Sequence, residues 1–263
     1  MRAGTDSGVP RERPKSPGWI RRHLAAERAD GNSFGLPEAA LGFVCGFLLA
    51  NVLAGAYLAL SHRTSSSGRY GVDLASLVGL WIGFIGAAVA ATRLRRPPGR
   101  IRTDYGVSIR PLIDIPLGIV VGLVSQFALV PLLELPLVPF VHNLSQQLGK
   151  PAEQLTGNVF GPGFIVLAVF VCLGSPLVEE VFFRGLLLRA LLGRLRRYAT
   201  PLSIAATSLL FALAHFEAIQ FLGLAGFGAV LAYLAWRTGR LGPGIVAHAT
   251  FNTVAIIAIV RSR

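Results

Sequence analysis

The chain has 263 residues, is 53% hydrophobic and 14% charged, and carries 25 Lys and Arg against 13 Asp and Glu, a formal net charge of +12. Soluble domains hold about a quarter charged residues, so this composition, with a mean hydropathy of +0.60, excludes an ordinary soluble domain and points to a membrane protein. The positive balance does not point to nucleic acid: the arginines gather at the flanks of apolar blocks, where a positive-inside bias and anionic lipid head groups account for them, and no nucleic-acid-binding motif accompanies them.

Residues 1–35 are rich in Arg, Pro, Gly and Ser and show no apolar stripe. They are expected to form a disordered basic tail on the cytoplasmic side. The tail is too long and polar before the first apolar block to read as a cleaved signal peptide. A bilayer-spanning helix needs about 20 mostly apolar residues. That criterion predicts spans near 38–60, 74–93, 112–133, 164–190, 201–216, 218–236 and 241–260. The stretch 134–150 is broken by Pro136 and Pro139 and turns polar; it reads as an interfacial or re-entrant helix, or as part of an eighth element. The expected fold is therefore an all-α polytopic membrane bundle of about seven spans, six to eight, occupying residues 36–263 with no separate soluble domain. Arginine-rich loops after the second and fourth spans place those loops in the cytoplasm and 61–73 and 134–163 outside, in the cell membrane. GxxxG spacings at Gly42/Gly46, Gly79/Gly83 and Gly118/Gly122 permit close helix contact. Cys45 and Cys172 sit inside apolar blocks and read as small hydrophobes.

An ionisable group inside a membrane helix costs roughly 2.5–3.5 kcal/mol at its centre, so a functional reading is the default there. The span 164–190 carries Glu179 and Glu180 in its middle. Glu180 and Arg184 are four apart, with Glu on the N-terminal side, and should pair along one face. Glu179 is turned about 100° away and is free to meet another helix. Pro176 removes one backbone donor and should leave the Cys172 carbonyl unpaired. The next span brings His215 near its far end. Glu179 and His215 each lie about 14 residues, or roughly 21 Å of helix, from the turn near 193–201, so antiparallel packing brings them to similar depth. In the last span His248 and Asn252 share a face by their i, i+4 spacing. They sit only about 10–16 Å from their own turn, a mismatch that a bend at Pro176 or Gly185, or an interfacial helix at 189–200, would remove.

Three motifs stand in order on three spans: EEVFFR at Glu179–Arg184, FALAH at Phe211–His215 and HATFN at His248–Asn252. They match EExxxR, FxxxH and HxxxN, and on them the chain, over roughly residues 160–260, resembles the CPBP family. That family joins type II CAAX prenyl endopeptidases with bacterial bacteriocin-processing and immunity (Abi) proteins. The resemblance implies a helical intramembrane endopeptidase, often called a metalloprotease, acting on a membrane-associated or lipidated peptide or protein, with Glu179, Glu180, His215, His248 and Asn252 at its centre and Arg184 in support. Prenylated substrates are not assumed.

On that reading Glu179 is the general base for an attacking water, with His215 its partner. Burial moves a carboxyl towards the range useful for proton transfer, and His248 and Asn252 donate to the oxyanion. The other version has Glu179, His215 and His248 ligate zinc or another divalent metal that lowers the pKa of bound water. HExxH, an aspartate in a GxGD setting and a GxSG serine are all missing, which sets aside other intramembrane proteases; Gly174-Ser175-Pro176 lacks the rhomboid-type setting. A catalytically silent immunity or scaffold protein, and a small proton-coupled transporter relaying through Glu179 and Glu180, stand as the alternatives. A purely structural Glu180–Arg184 pair and a helix-bridging Asn252 stand beside the catalytic reading of those residues.

Overall fold

The computed structural model describes residues 35–62, 64, 69–94, 98–156, 161–194 and 199–262. The expected basic tail therefore lies outside the described residues, apart from Gly35. Everything regular among the described residues is helical: α1 (Leu36–Ser61), α2 (Arg69–Arg93), α3 (Pro111–Leu137), α4 (Leu144–Thr156), α5 (Pro162–Arg194), α6 (Ala199–Leu213), α7 (Phe221–Thr238) and α8 (Gly242–Ser262), with a single helical turn at Ile101–Asp104. Six of these, α1, α2, α3, α5, α7 and α8, are long and apolar enough to cross a bilayer. The protein is an all-α integral membrane bundle.

The first helix shows how lipid inverts the usual rule of packing. Its large side chains Leu41, Val44, Leu48 and Val52 are all more than half exposed, while Ala39, Gly42, Gly46 and Ala50 are buried. Leucine gains nothing by leaving lipid for protein, so helices associate through small residues that let backbones approach. The Gly42/Gly46 and Gly79/Gly83 spacings face each other across α1 and α2: a Cβ at Gly83 would overlap the Gly46 backbone. Gly118 and Gly122 play the same part between α3 and α8, where a Cβ at Gly122 would stand 2.6 Å from the Ala247 carbonyl oxygen. Behind these seams lies an aromatic centre. Phe84 stacks on Phe182 at 4.0 Å, and Phe183 meets Phe211 edge-on at 5.4 Å. All four rings are buried.

Two helices depart from the expected spans. The sixth, α6, has 15 residues, about 22 Å of helix, and stops at Leu213, so His215 sits in the following turn rather than inside a span; Phe216 behind it takes a left-handed φ of 54°. The polar stretch after α3 forms its own element, but later than expected. α3 runs on through Glu134 to Leu137, and the 13-residue amphipathic helix α4 begins at Leu144.

Side-chain hydrogen bonds join the described connections at the arginine-bearing end of the bundle. Arg240 grips Asp114 with two nitrogens, Nη2 to Oδ1 at 2.6 Å and Nε to Oδ2 at 3.3 Å. Arg189 donates to the carbonyls of Asp104, Tyr105 and Gly239, and the Tyr105 hydroxyl donates to the Ala88 carbonyl at 3.0 Å. Buried carbonyls at loop ends thereby find their donors.

Candidate active site

The long helix α5 is wound wide at Phe170–Gly174 and again at Glu180–Leu187, where hydrogen bonds run from i to i+5. Such π-turns cost hydrogen-bond quality and are frequent at functional sites. The first has a local cause in Pro176. In this winding the residue five beyond Val171 is Pro176, which has no N–H to give. The orphaned carbonyl is therefore that of Val171, not that of Cys172 as an i+4 count requires. Asn252 of α8 fills the vacancy, its Nδ2 donating to the Val171 oxygen at 2.9 Å. One amide hydrogen of Asn252 thus bridges helices, and the second is left to the cavity that Asn252 lines.

Glu180 and Arg184 pair as their spacing predicts, Nη1 to Oε1 at 2.8 Å, with both side chains fully buried. Arg184 is held further by donating Nη2 to the Gly228 carbonyl at 3.1 Å, and its guanidinium lies 4.4 Å from the Phe211 ring centroid. A lone cation here would be very costly; the carboxylate, the carbonyl and the ring face together offset its desolvation. The other oxygen of Glu180 faces α8 where only glycine leaves room: a Cβ at Gly244 would stand 2.9 Å from Oε2.

His248 is the point of convergence. Its Nδ1 lies 3.4 Å from Glu180 Oε1 and its Nε2 3.8 Å from Glu179 Oε2. The edges of Phe211 and Phe227 flank the ring at 5.6 and 5.7 Å. Glu179 thus reaches towards α8. The depth mismatch of a straight-helix count does not keep these groups apart: His248 lies within 4 Å of both glutamates.

His215 stands one turn beyond Phe211, its ring 4.7 Å from that of Phe211. Its Nδ1 lies 2.7 Å from the Phe211 carbonyl oxygen. A carbonyl can only accept, so Nδ1 is the donor here, and in the neutral ring Nε2 then keeps the lone pair. His215, His248 and Asn252 line one cavity of about 560 Å³, together with apolar walls from α3, α7 and α8. The structure brings His248 within 4 Å of both glutamates; among the described residues no ion pair joins His215 to Glu179. Nor do any three His, Cys, Asp or Glu side chains among the described residues converge in a way that holds a cation.

The cavity also holds polar residues that the motifs do not cover. Glu134, only 5% exposed, lines it from α3, and Gln126 and Gln220 line it as well. The carboxylate sits against a notch in α7, where a Cβ at Gly223 would come within 2.7 Å of Oε1. An acid inside an apolar 27-residue helix was the available signal; it is hidden from a sequence reading that ends the third span at 133. Ser175, 5% exposed, lines the same space.

Residues 161–254 match the family model described as Type II CAAX prenyl endopeptidase Rce1-like. All three motifs fall within the matched residues. No curated protein and no solved structure matches the chain.

Proposed function

We propose that this chain, which over residues 161–254 is similar to the Type II CAAX prenyl endopeptidase Rce1-like family, is an intramembrane endopeptidase hydrolysing a peptide bond of a membrane-associated peptide or protein. What supports the reading is one observation: His248 stands between Glu179 and Glu180, at 3.8 and 3.4 Å, beside a cavity that it shares with His215 and Asn252. The cell membrane, with the N-terminus in the cytoplasm, is its proposed location, on the distribution of arginines.

In the proposed reaction Glu179 accepts a proton from water while the His215 Nε2 lone pair orients that water. The water oxygen bonds to the scissile carbonyl carbon, and the carbonyl oxygen becomes an oxyanion. At 3.8 Å the Nε2 of His248 is too far from Glu179 for a hydrogen bond, so its N–H can turn to the oxyanion, joined by the free amide hydrogen of Asn252. Collapse breaks the C–N bond, and the proton held by Glu179 passes to the leaving amine. Glu180, fixed by Arg184, faces the Nδ1 side of His248 at 3.4 Å. No step passes through a metal.

The test is comparative: membranes of cells carrying the native chain or Glu179→Gln, profiled for peptides released and precursors retained. The native chain should release at least one fragment whose precursor accumulates in the variant at equal protein level. Identical profiles would reject the peptidase reading.

A further inference from the structure

We infer that the active-site cavity is entered from the non-cytoplasmic side of the membrane, so that its substrates are peptide segments delivered to that face rather than lipidated C-termini displayed in the cytosol. The inference rests on the proposed function for the word substrate, and on charge and geometry for the direction of entry.

The six long helices and the shorter α6 between α5 and α7 run in alternate directions and divide the connections between two ends of the bundle; Arg189 lies beside Tyr105 and Gly239 at one of them. One end holds residues 93–110, 189–200 and 237–240, with six, four and two arginines respectively, twelve in all. The segments 61–73 and 134–161 and the turn 214–220 at the other end hold only Arg63, Arg69 and Lys150. Lys and Arg in short loops are retained in the cytoplasm during insertion, so a bias of twelve against three assigns the first end to the cytoplasm. The start of α1 agrees with it: Gly35 lies against Leu186, Ala91 and Ala190, which belong to the arginine end.

The cavity belongs to the other end. Among its walls are Leu148, Gly149 and Pro151 of α4 and Gln220 of the turn before α7, and the Gln220 amide donates to the Leu148 carbonyl at 2.6 Å. His215 lies in the turn that follows α6. None of the lining residues comes from 93–110, 189–200 or 237–240. At the cytoplasmic end the described connections are held together by the Arg240–Asp114 grip and the three carbonyl contacts of Arg189. Among the described residues, a peptide arriving from the opposite face meets the amphipathic helix α4 and the 214–220 turn, both of which line the cavity.

Cysteine labelling tests this without relying on catalysis. In a chain with Cys45 and Cys172 replaced by Ala, a single cysteine is placed at His142→Cys, exposed between α3 and α4, or at Thr103→Cys, exposed in the 93–110 connection. A membrane-impermeant maleimide applied to intact spheroplasts should label His142→Cys at least tenfold more than Thr103→Cys. The second should label only after permeabilisation. Labelling in the reverse order, or equal labelling of both in sealed cells, would overturn the inference. In a parallel arm, an impermeant quenched peptide that the purified protein cleaves should be hydrolysed by right-side-out vesicles and spared by inverted ones; the opposite preference also overturns it. If the purified protein cleaves no peptide, the peptidase reading suffers and the maleimide pattern still decides the direction of entry.

Discussion

Arg184→Met is the sharpest single perturbation of this bundle. Arg184 and Glu180 are both fully buried and joined at 2.8 Å, so removing the guanidinium strands a carboxylate in a dry interior. Breaking a buried pair from one side costs about 3–5 kcal/mol, most of it the penalty of the charge left behind. The lost hydrogen bond to the Gly228 carbonyl adds about 1 kcal/mol. At about 2–4 °C per kcal/mol for a chain of this size, the apparent melting temperature in detergent should fall by roughly 8–24 °C. The double variant Arg184→Met with Glu180→Leu removes both charges and should recover most of that loss, because apolar replacement of a whole buried pair is close to neutral. It should not recover peptide hydrolysis, since Glu180 is also what faces His248 Nδ1. The assay is thermal unfolding of the four members of the cycle, followed through the buried aromatic core. A fall of less than 2 °C for Arg184→Met alone, or a double variant no more stable than the single, would refute the account of this pair.

Three further outcomes follow from the packing. Asn252→Ala leaves the Val171 carbonyl without the donor that Pro176 cannot supply, and should cost about 1–3 kcal/mol of stability; unchanged thermal unfolding would show that carbonyl to be satisfied otherwise. Gly83→Val forces side-chain atoms into the Gly46 backbone and should destabilise by about 1–3 kcal/mol or more, whereas Gly86→Ala, where a Cβ meets nothing within 4 Å, should not; comparing the two melting temperatures checks the α1–α2 seam. Glu134→Leu removes a buried carboxyl that has no ion pair among the described residues, and should raise stability by about 1–3 kcal/mol; a fall in melting temperature would mean that the carboxylate anchors the fold.

Much of the architecture was legible along the chain. Hydropathy is a local property, and in a bilayer it maps directly onto spans because every backbone polar group must be satisfied within its own helix. The runs beginning near 38, 74, 112 and 164 therefore appear as helices close to where they were expected. The Glu180–Arg184 pair was legible for the same reason, since its spacing lies within one helix. The helix seams at Gly42/Gly46, Gly79/Gly83 and Gly118/Gly122 were visible as spacings, though not which faced which.

What tertiary structure alone decided was depth and rotation. A straight-helix count left His248 too shallow to meet the glutamates, and an i+4 count assigned the orphaned carbonyl to Cys172. In the packed bundle His248 stands beside both glutamates, and the wide turn ahead of Pro176 moves the orphaned carbonyl to Val171. A wide turn forms where packing and a neighbouring side chain, here Asn252 beneath Pro176, make a poorer hydrogen-bond pattern worth keeping. That balance is struck between helices distant in sequence, so no single segment records it. The same holds for Glu134: the charge was plain to read, but its place in the wall of the cavity depends on how α3 meets the notch at Gly223.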